Sequence, residues 1–154
     1  NGNTSATPEV LVALGSLATS LGQATIDAVD FVSTAFDVSD GGVISAEVSY
    51  NEQVTVATAF PLLVLTNSQA GGGSAASITL TMDGTLPVTS DKLTFSTTIG
   101  AGGSTIVADD VLSIGAQSIN LNGATIVDTI GGGNAERAIT AAQGTAGGTL
   151  TATA

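Results

Sequence analysis

The residues of this chain that could do chemistry are almost all carboxylates. Thirteen aspartates and glutamates stand against two basic residues, Lys92 and Arg137, and the chain has neither histidine nor cysteine. The usual base and nucleophile of hydrolases are therefore missing. Without thiols there is also no disulfide and no thiolate metal site. Two carboxylates would be enough for a glycosidase, but most of these acids fall in turns, where capping or solvation is their ordinary role. The expectation is a protein that is not an enzyme.

Calcium is the better chemical hypothesis. A hard cation takes several oxygen ligands, and clustered aspartates beside glycine turns can supply them. The candidates are Asp37 with Asp40, in Asp37-Val38-Ser39-Asp40-Gly41-Gly42, and Asp109 with Asp110. Asp128 or Glu52 could join them across the fold. No spacing here matches a twelve-residue EF-hand loop, and the competing reading is that the acids cap turns and keep the surface charged. The run Gly100-Ala101-Gly102-Gly103-Ser104 has the glycines of a phosphate loop without its lysine or following helix, so it reads as a hairpin loop. Lys92, the only lysine, stands beside Asp91. A cross-link to Asn120 is conceivable, but a surface lysine on a strand is the plainer reading.

Composition bounds the rest. The net charge of -11 removes the positive footprint that nucleic-acid binding needs and repels anionic membrane surfaces. No apolar run reaches eighteen residues, so neither a membrane span nor a signal peptide is expected. A start at Asn1 instead of methionine fits a processed, secreted precursor or a trimmed chain. At 154 residues the chain suits one domain with an appended segment. Aromatics are few, so valine, isoleucine, leucine and alanine must build the core, and the abundant glycine and threonine suit short strands with tight turns.

These elements must hold the acids in place. Thr7-Pro8-Glu9 reads as a helix start, and Val10, Leu14, Leu17 and Leu21 follow on one helical face, with Gly22 as the stop. The rival reading makes Val10-Leu11-Val12-Ala13-Leu14 a strand. From Thr25 the pattern is β. Val43 to Tyr50 alternates, predicting Ile44, Ala46 and Val48 inward with Ser45, Glu47 and Ser49 outward. Ile78, Leu80 and Met82 are predicted inward by the same period, and Lys92 to Ser96 alternates as well. Leu62 to Leu65 is continuously apolar, as in a strand covered on both faces. Gln69 to Ser77, rich in glycine and serine, is expected to be the most flexible loop. Leu112 to Asp128 reads as two strands joined at Asn122-Gly123, and Gly131 to Asn134 as a further turn. Thr149 to Ala154 alternates like a strand that closes the domain or pairs elsewhere. Seven or eight strands between glycine turns argue for a two-sheet sandwich.

From about Thr25 to Ile139 the sequence resembles the bacterial immunoglobulin-like repeats of large extracellular adhesins and some phage structural proteins. The resemblance rests on an ordered set of motifs. The first is Asp40-Gly41-Gly42-Val43-Ile44, leading through Val48-Ser49-Tyr50-Asn51-Glu52-Gln53 to Val54-Thr55-Val56. Pro61-Leu62-Leu63-Val64-Leu65 and Leu93-Thr94-Phe95 follow, and the closing stretch runs from Asp110 to Ala135. The resemblance implies an all-β protein, an immunoglobulin-like two-sheet antiparallel sandwich. It departs from the repeats at Ala59-Phe60, at the extra Gly131, and in the segments before Thr25 and after Ile139.

The expected organisation is therefore an N-terminal apolar arm (1–24), a sandwich (25–139), and a C-terminal strand or tail (140–154). The expected function is that of a structural subunit on a cell exterior, assembling with itself into a filament or surface layer. The connecting residues would be Val10, Leu11, Leu14, Leu17 and Leu21 of the arm, or Leu150 of the tail, given to a neighbour's sheet edge. The alternatives are a virion component on the capsid or tail surface, in contact with other capsid proteins, and a calcium-dependent adhesin domain.

Overall fold

The computed structural model describes residues 22–154 of the chain. Its regular structure is almost entirely strands: β1 (Ile26–Phe31), β2 (Phe36–Asp37), β3 (Gly42–Ala57), β4 (Leu62–Asn67), β5 (Ser77–Met82), β6 (Val88–Ile99), β7 (Val111–Ser113), β8 (Gln117–Ser118), β9 (Thr125–Asp128), β10 (Ala138–Ile139) and β11 (Thr149–Thr153). One short helix, α1 (Ala141–Ala146), precedes the last strand.

The two-residue period decides which face each strand buries. In β3, Ile44, Ala46, Val48 and Tyr50 are buried while Ser45, Glu47 and Ser49 lie at the surface boundary. In β5, Ile78, Leu80 and Met82 are buried and the threonines between them exposed. The same register carries through β6, where Leu93 and Phe95 face inward. Each large apolar side chain fully removed from water contributes about 1.5–3 kcal/mol, so a one-residue slip of any of these strands is strongly disfavoured.

The strands form one mixed sheet in the order β1-β3-β6-β5-β4-β7-β11-β2, with β9 also beside β3; β8 and β10 pair separately. All ladders are antiparallel except that of β11 with β2. An irregularity between Ser49 and Val54 lets β3 change partners along one edge. Its first half pairs with β1 through Ala46 to Tyr50, and its second half with β9 through Val54 to Ala57. The β5–β6 link is narrow, with only Thr81–Ser96 and Met82–Phe95 in register. The sheet curls, and its strands close on a single core containing Ile44, Leu63, Leu65, Leu80, Phe95 and Leu112.

Four expectations are revised. In β4 only Leu63 and Leu65 are buried; Leu62 and Val64 are half-exposed, so the strand is covered on one face. Asn122 and Gly123 do make a tight turn, with φ of 50° and 85° and the Ala124 amide donating to the Leu121 carbonyl. The segments it joins are nevertheless not partners, because β8 pairs with β10 and β9 with β3. Residues 141–146, read only as a glycine-bearing tail, form α1. Its start is a capping box, in which Thr140 Oγ1 accepts from the Gln143 amide and Gln143 Oε1 from the Thr140 amide. Finally, β11 is a strand of its own chain's sheet, hydrogen-bonded between β7 and β2 with Leu150 and Ala152 buried. It is not available for donation to a neighbour. Val10, Leu11, Leu14, Leu17 and Leu21 lie outside the described residues.

Candidate functional site

The most elaborate polar site surrounds Asp110, at the turn into β7. It forms where the loop after β4 meets the loop after β6, which pair through Ser74 with Ser104 and Ala75 with Thr105. The Asp110 side chain is fully buried. Its Oδ2 accepts from Asn67 Nδ2 at 3.0 Å and from the Val107 amide at 3.1 Å. Its Oδ1 accepts from the Gly71 amide at 2.9 Å and, more weakly, from the Gly73 amide at 3.4 Å. The Asn67 amide, followed by the backbone donors of Val107, Gly71 and Gly73, holds the carboxyl below its ordinary pKa against the opposing effect of burial. Asn67 is itself satisfied, donating to the Ala75 carbonyl and accepting from the Gln69 amide.

The glycines explain how the loop comes so close. A Cβ on Gly73 would stand 1.9 Å from Asp110 Oδ2, and one on Gly71 would stand 1.8 Å from the Ala108 carbonyl oxygen. Only residues without a side chain can wrap the carboxylate in this way. The loop read as the most flexible in the chain is thus tied down by a buried anion.

Asp109, next in sequence, points elsewhere. It is exposed, has φ of 71°, and uses its backbone amide to reach Ala152 in β11. Asp37 accepts from the Ser39 amide and hydroxyl at 2.8 and 2.6 Å, and these bonds lower its pKa. Asp40, on the same turn, is exposed. Asp128, nearly buried, caps the turn after β9 by accepting from the Ile130 and Gly131 amides. Asp37, Asp110 and Asp128 thus all accept from N–H or O–H donors. Among the described residues no three histidine, cysteine, aspartate or glutamate side chains come together as a metal-holding group. The arrangement favours turn capping over calcium for these acids.

Lys92 pairs with Glu47 at 2.8 Å on the outer face of β3 and β6, and Asp30 stands opposite Glu47 across the β1–β3 ladder. The lysine's pKa is raised by Glu47 first. It is exposed and already engaged, which is the surface-lysine reading.

A cleft of about 380 Å³ opens at the other polar feature, the surface between β8, β9 and β10. Ala124, Ile126 and Ala135 are buried at its base, with half-buried Leu121 among its lining residues. Gln23, Ser118, Thr125, Asn134 and Arg137 stand at its exposed rim. Gln23 Nε2 donates to the Asn134 carbonyl at 2.7 Å, and the Glu136 amide donates to the Ala24 carbonyl. Nearby, the Tyr50 hydroxyl donates to the Glu136 carbonyl, and burial raises its pKa. Sequence reading pointed to neither this cleft nor Asn67. No pattern of types or spacing marks a cleft assembled from four separate segments.

Comparison with protein-family models, with curated proteins and with solved structures finds no match to the chain. The sequence and the geometry are therefore the grounds for function.

Proposed function

We propose that this chain is a non-enzymatic structural subunit built on an immunoglobulin-like β-sandwich, assembling with copies of itself on an extracellular surface through its N-terminal arm. The observation that carries this reading is the strand order. An immunoglobulin sandwich has the sheets A-B-E-D and C-F-G. With β1, β3, β4, β5, β6, β7 and β11 taken as strands A to G, the order β1-β3-β6-β5 followed by β4-β7-β11 is the same sequence of neighbours. The two groups are then joined where β5 meets β4, along the ladder from Leu62–Thr81 to Thr66–Ser77.

The single parallel ladder fits as well. The first strand breaks after Phe31. Its first part runs antiparallel to β3, and its second part, β2, crosses to lie parallel to β11. The departure from the simple sandwich is the long connection from β7 to β11, which carries β8, β9, β10 and α1.

The chemistry supports a scaffold. Asp37 and Asp128 cap turns, Asp110 gathers a loop, Asp83 and Glu136 accept from the Ser96 hydroxyl and the Ile26 amide, Glu47 pairs with Lys92, and the sequence lacks histidine and cysteine. With β11 taken into its own sheet, the arm is the remaining candidate connector. Its apolar residues, if left in water, would each forfeit about 1.5–3 kcal/mol of burial. Negative-stain micrographs of the purified protein test the reading. Regular filaments or sheets are expected, and particles of monomer size at every concentration would refute it.

A further inference from the structure

We propose that the domain is a load-bearing link: tension entering the chain at Ala24 and leaving it at Thr153 shears the terminal strands along their length instead of unzipping them. This goes beyond the assembly reading and does not depend on it. The directions of the strands carry the inference. β1 begins opposite Tyr50 and ends opposite Ala46, so it runs toward the end of the sheet where β3 starts at Gly42. β11 runs parallel to β2 and finishes beside Asp37, which is tied to that same end by the Gly41 amide. Entry and exit are therefore separated along the strand axis. Tyr50 and Gly42, which mark the two levels on β3, lie about 26 Å apart at a rise of about 3.3 Å per residue.

Both ends are held by bonds that lie across such a pull. At the entry, the Glu136 amide holds the Ala24 carbonyl, and Thr25 exchanges bonds with Asn51 before the β1–β3 ladder begins. At the exit, β11 is gripped on two edges. On one, β7 pairs with Thr149, Leu150 and Thr151, the Asp109 amide donates to the Ala152 carbonyl, and the Ala152 amide donates to the Asp110 carbonyl. On the other, β2 pairs with Ala152 and Thr153, the Val38 amide donates to the Thr153 carbonyl, and Thr153 Oγ1 donates to the Phe36 carbonyl. The bonds of an antiparallel ladder stand perpendicular to its strands. A pull along the axis loads them together, whereas a pull from one end opens them a pair at a time. Because β2 and β11 point the same way, tension on the two termini slides one past the other. The buried Asp110 carboxylate fixes the turn into β7, so the grip on Ala152 is anchored in the core.

The lack of native cysteine lets handles be placed at will. In the full chain, Gly22→Cys is combined with Ala154→Cys in one variant and with Gln53→Cys in another, all exposed positions. The first pair pulls along the terminal strands. The second has both handles at the Ile26–Tyr50 end of the β1–β3 ladder and opens it from there. Single molecules are stretched between the two thiols at one pulling speed, so that rupture reports the barrier to unfolding under force. The end-to-end pair is expected to rupture at roughly twice the force of the unzipping pair or more, since its bonds break together. Equal forces, or a lower force end to end, would overturn the proposal. The readout is separate from assembly, because each molecule is pulled alone.

Discussion

Asn67 Nδ2 donates to Asp110 Oδ2 at 3.0 Å, a buried bond between the last residue of β4 and the residue just before β7. It joins two strands that pair in register only at their ends, Thr66 with Ser113 and Asn67 with Leu112. Around it the glycine loop is drawn in as a shell of amide donors. A carboxylate that might have been read as half of a cation site is instead the organising centre of one end of the sheet. Its charge is balanced by oriented N–H groups.

The consequence for stability has a sign and a pH window. Asp110→Ala should leave the donors of Asn67, Val107 and Gly71 without an acceptor, and we expect Tm to fall by roughly 5–10 °C. The folded-state pKa of Asp110 is depressed, so its contribution is fully present above the unfolded carboxylate value of about 4. That contribution is lost as pH falls below this value and through the folded pKa. The Tm gap between the wild type and Asp110→Asn should hold steady from neutral pH down to about pH 5 and shrink below about pH 4. Thermal melts followed by circular dichroism at a series of pH values measure both effects.

Glycine position matters more than glycine content in the same loop. Gly71→Ala and Gly73→Ala place a Cβ against the Ala108 carbonyl and the Asp110 carboxylate respectively. Each should cost about 2 kcal/mol or more. Gly72 has open space around it but φ of 97°, so Gly72→Ala should carry only the backbone penalty of about 1 kcal/mol. Urea unfolding of the three variants checks the order, and equal costs at all three would show that the loop does not wrap Asp110.

These acids, and turn capping as a role for them, were visible in the sequence; the burial of Asp110 was not. Alternation in β3 and β5 was legible because each buries one face, which makes burial follow the two-residue period. The Asn122-Gly123 turn was legible because its backbone demands residues that accept positive φ. Its flanking strands were misassigned because a turn fixes only local direction, and tertiary pairing sent β8 to β10 and β9 to β3. The capping pair Thr140 and Gln143 is present in the sequence, in a stretch read only as a tail carrying Gly144 and Gly147. In the fold each is required by a close approach, Gly144 to Gly115 and Gly147 to the Val29 carbonyl. The burial of Asp110 depends on two loops far apart in sequence, and no local pattern encodes it.

Calcium separates the scaffold reading from the adhesin reading. With Asp37 and Asp110 occupied by donors, neither chelator nor millimolar calcium should move Tm beyond experimental error, because an ion that does not bind the folded state cannot stabilise it. A calcium-dependent rise in Tm that disappears in an Asp109/Asp110 or Asp37/Asp40 double-alanine variant would restore the cation site. Differential scanning calorimetry with and without chelator decides the point.

The central claim is that the arm connects subunits while the strands from β1 to β11 fold without it. Sedimentation velocity on the full chain and on a chain lacking residues 1–22, each with a thermal melt, tests that claim most directly. We expect the full chain to sediment as a multimer and the shortened chain as a monomer that still unfolds cooperatively. A shortened chain that forms the same multimer would contradict the account, as would a full chain that stays monomeric or a shortened chain that does not fold.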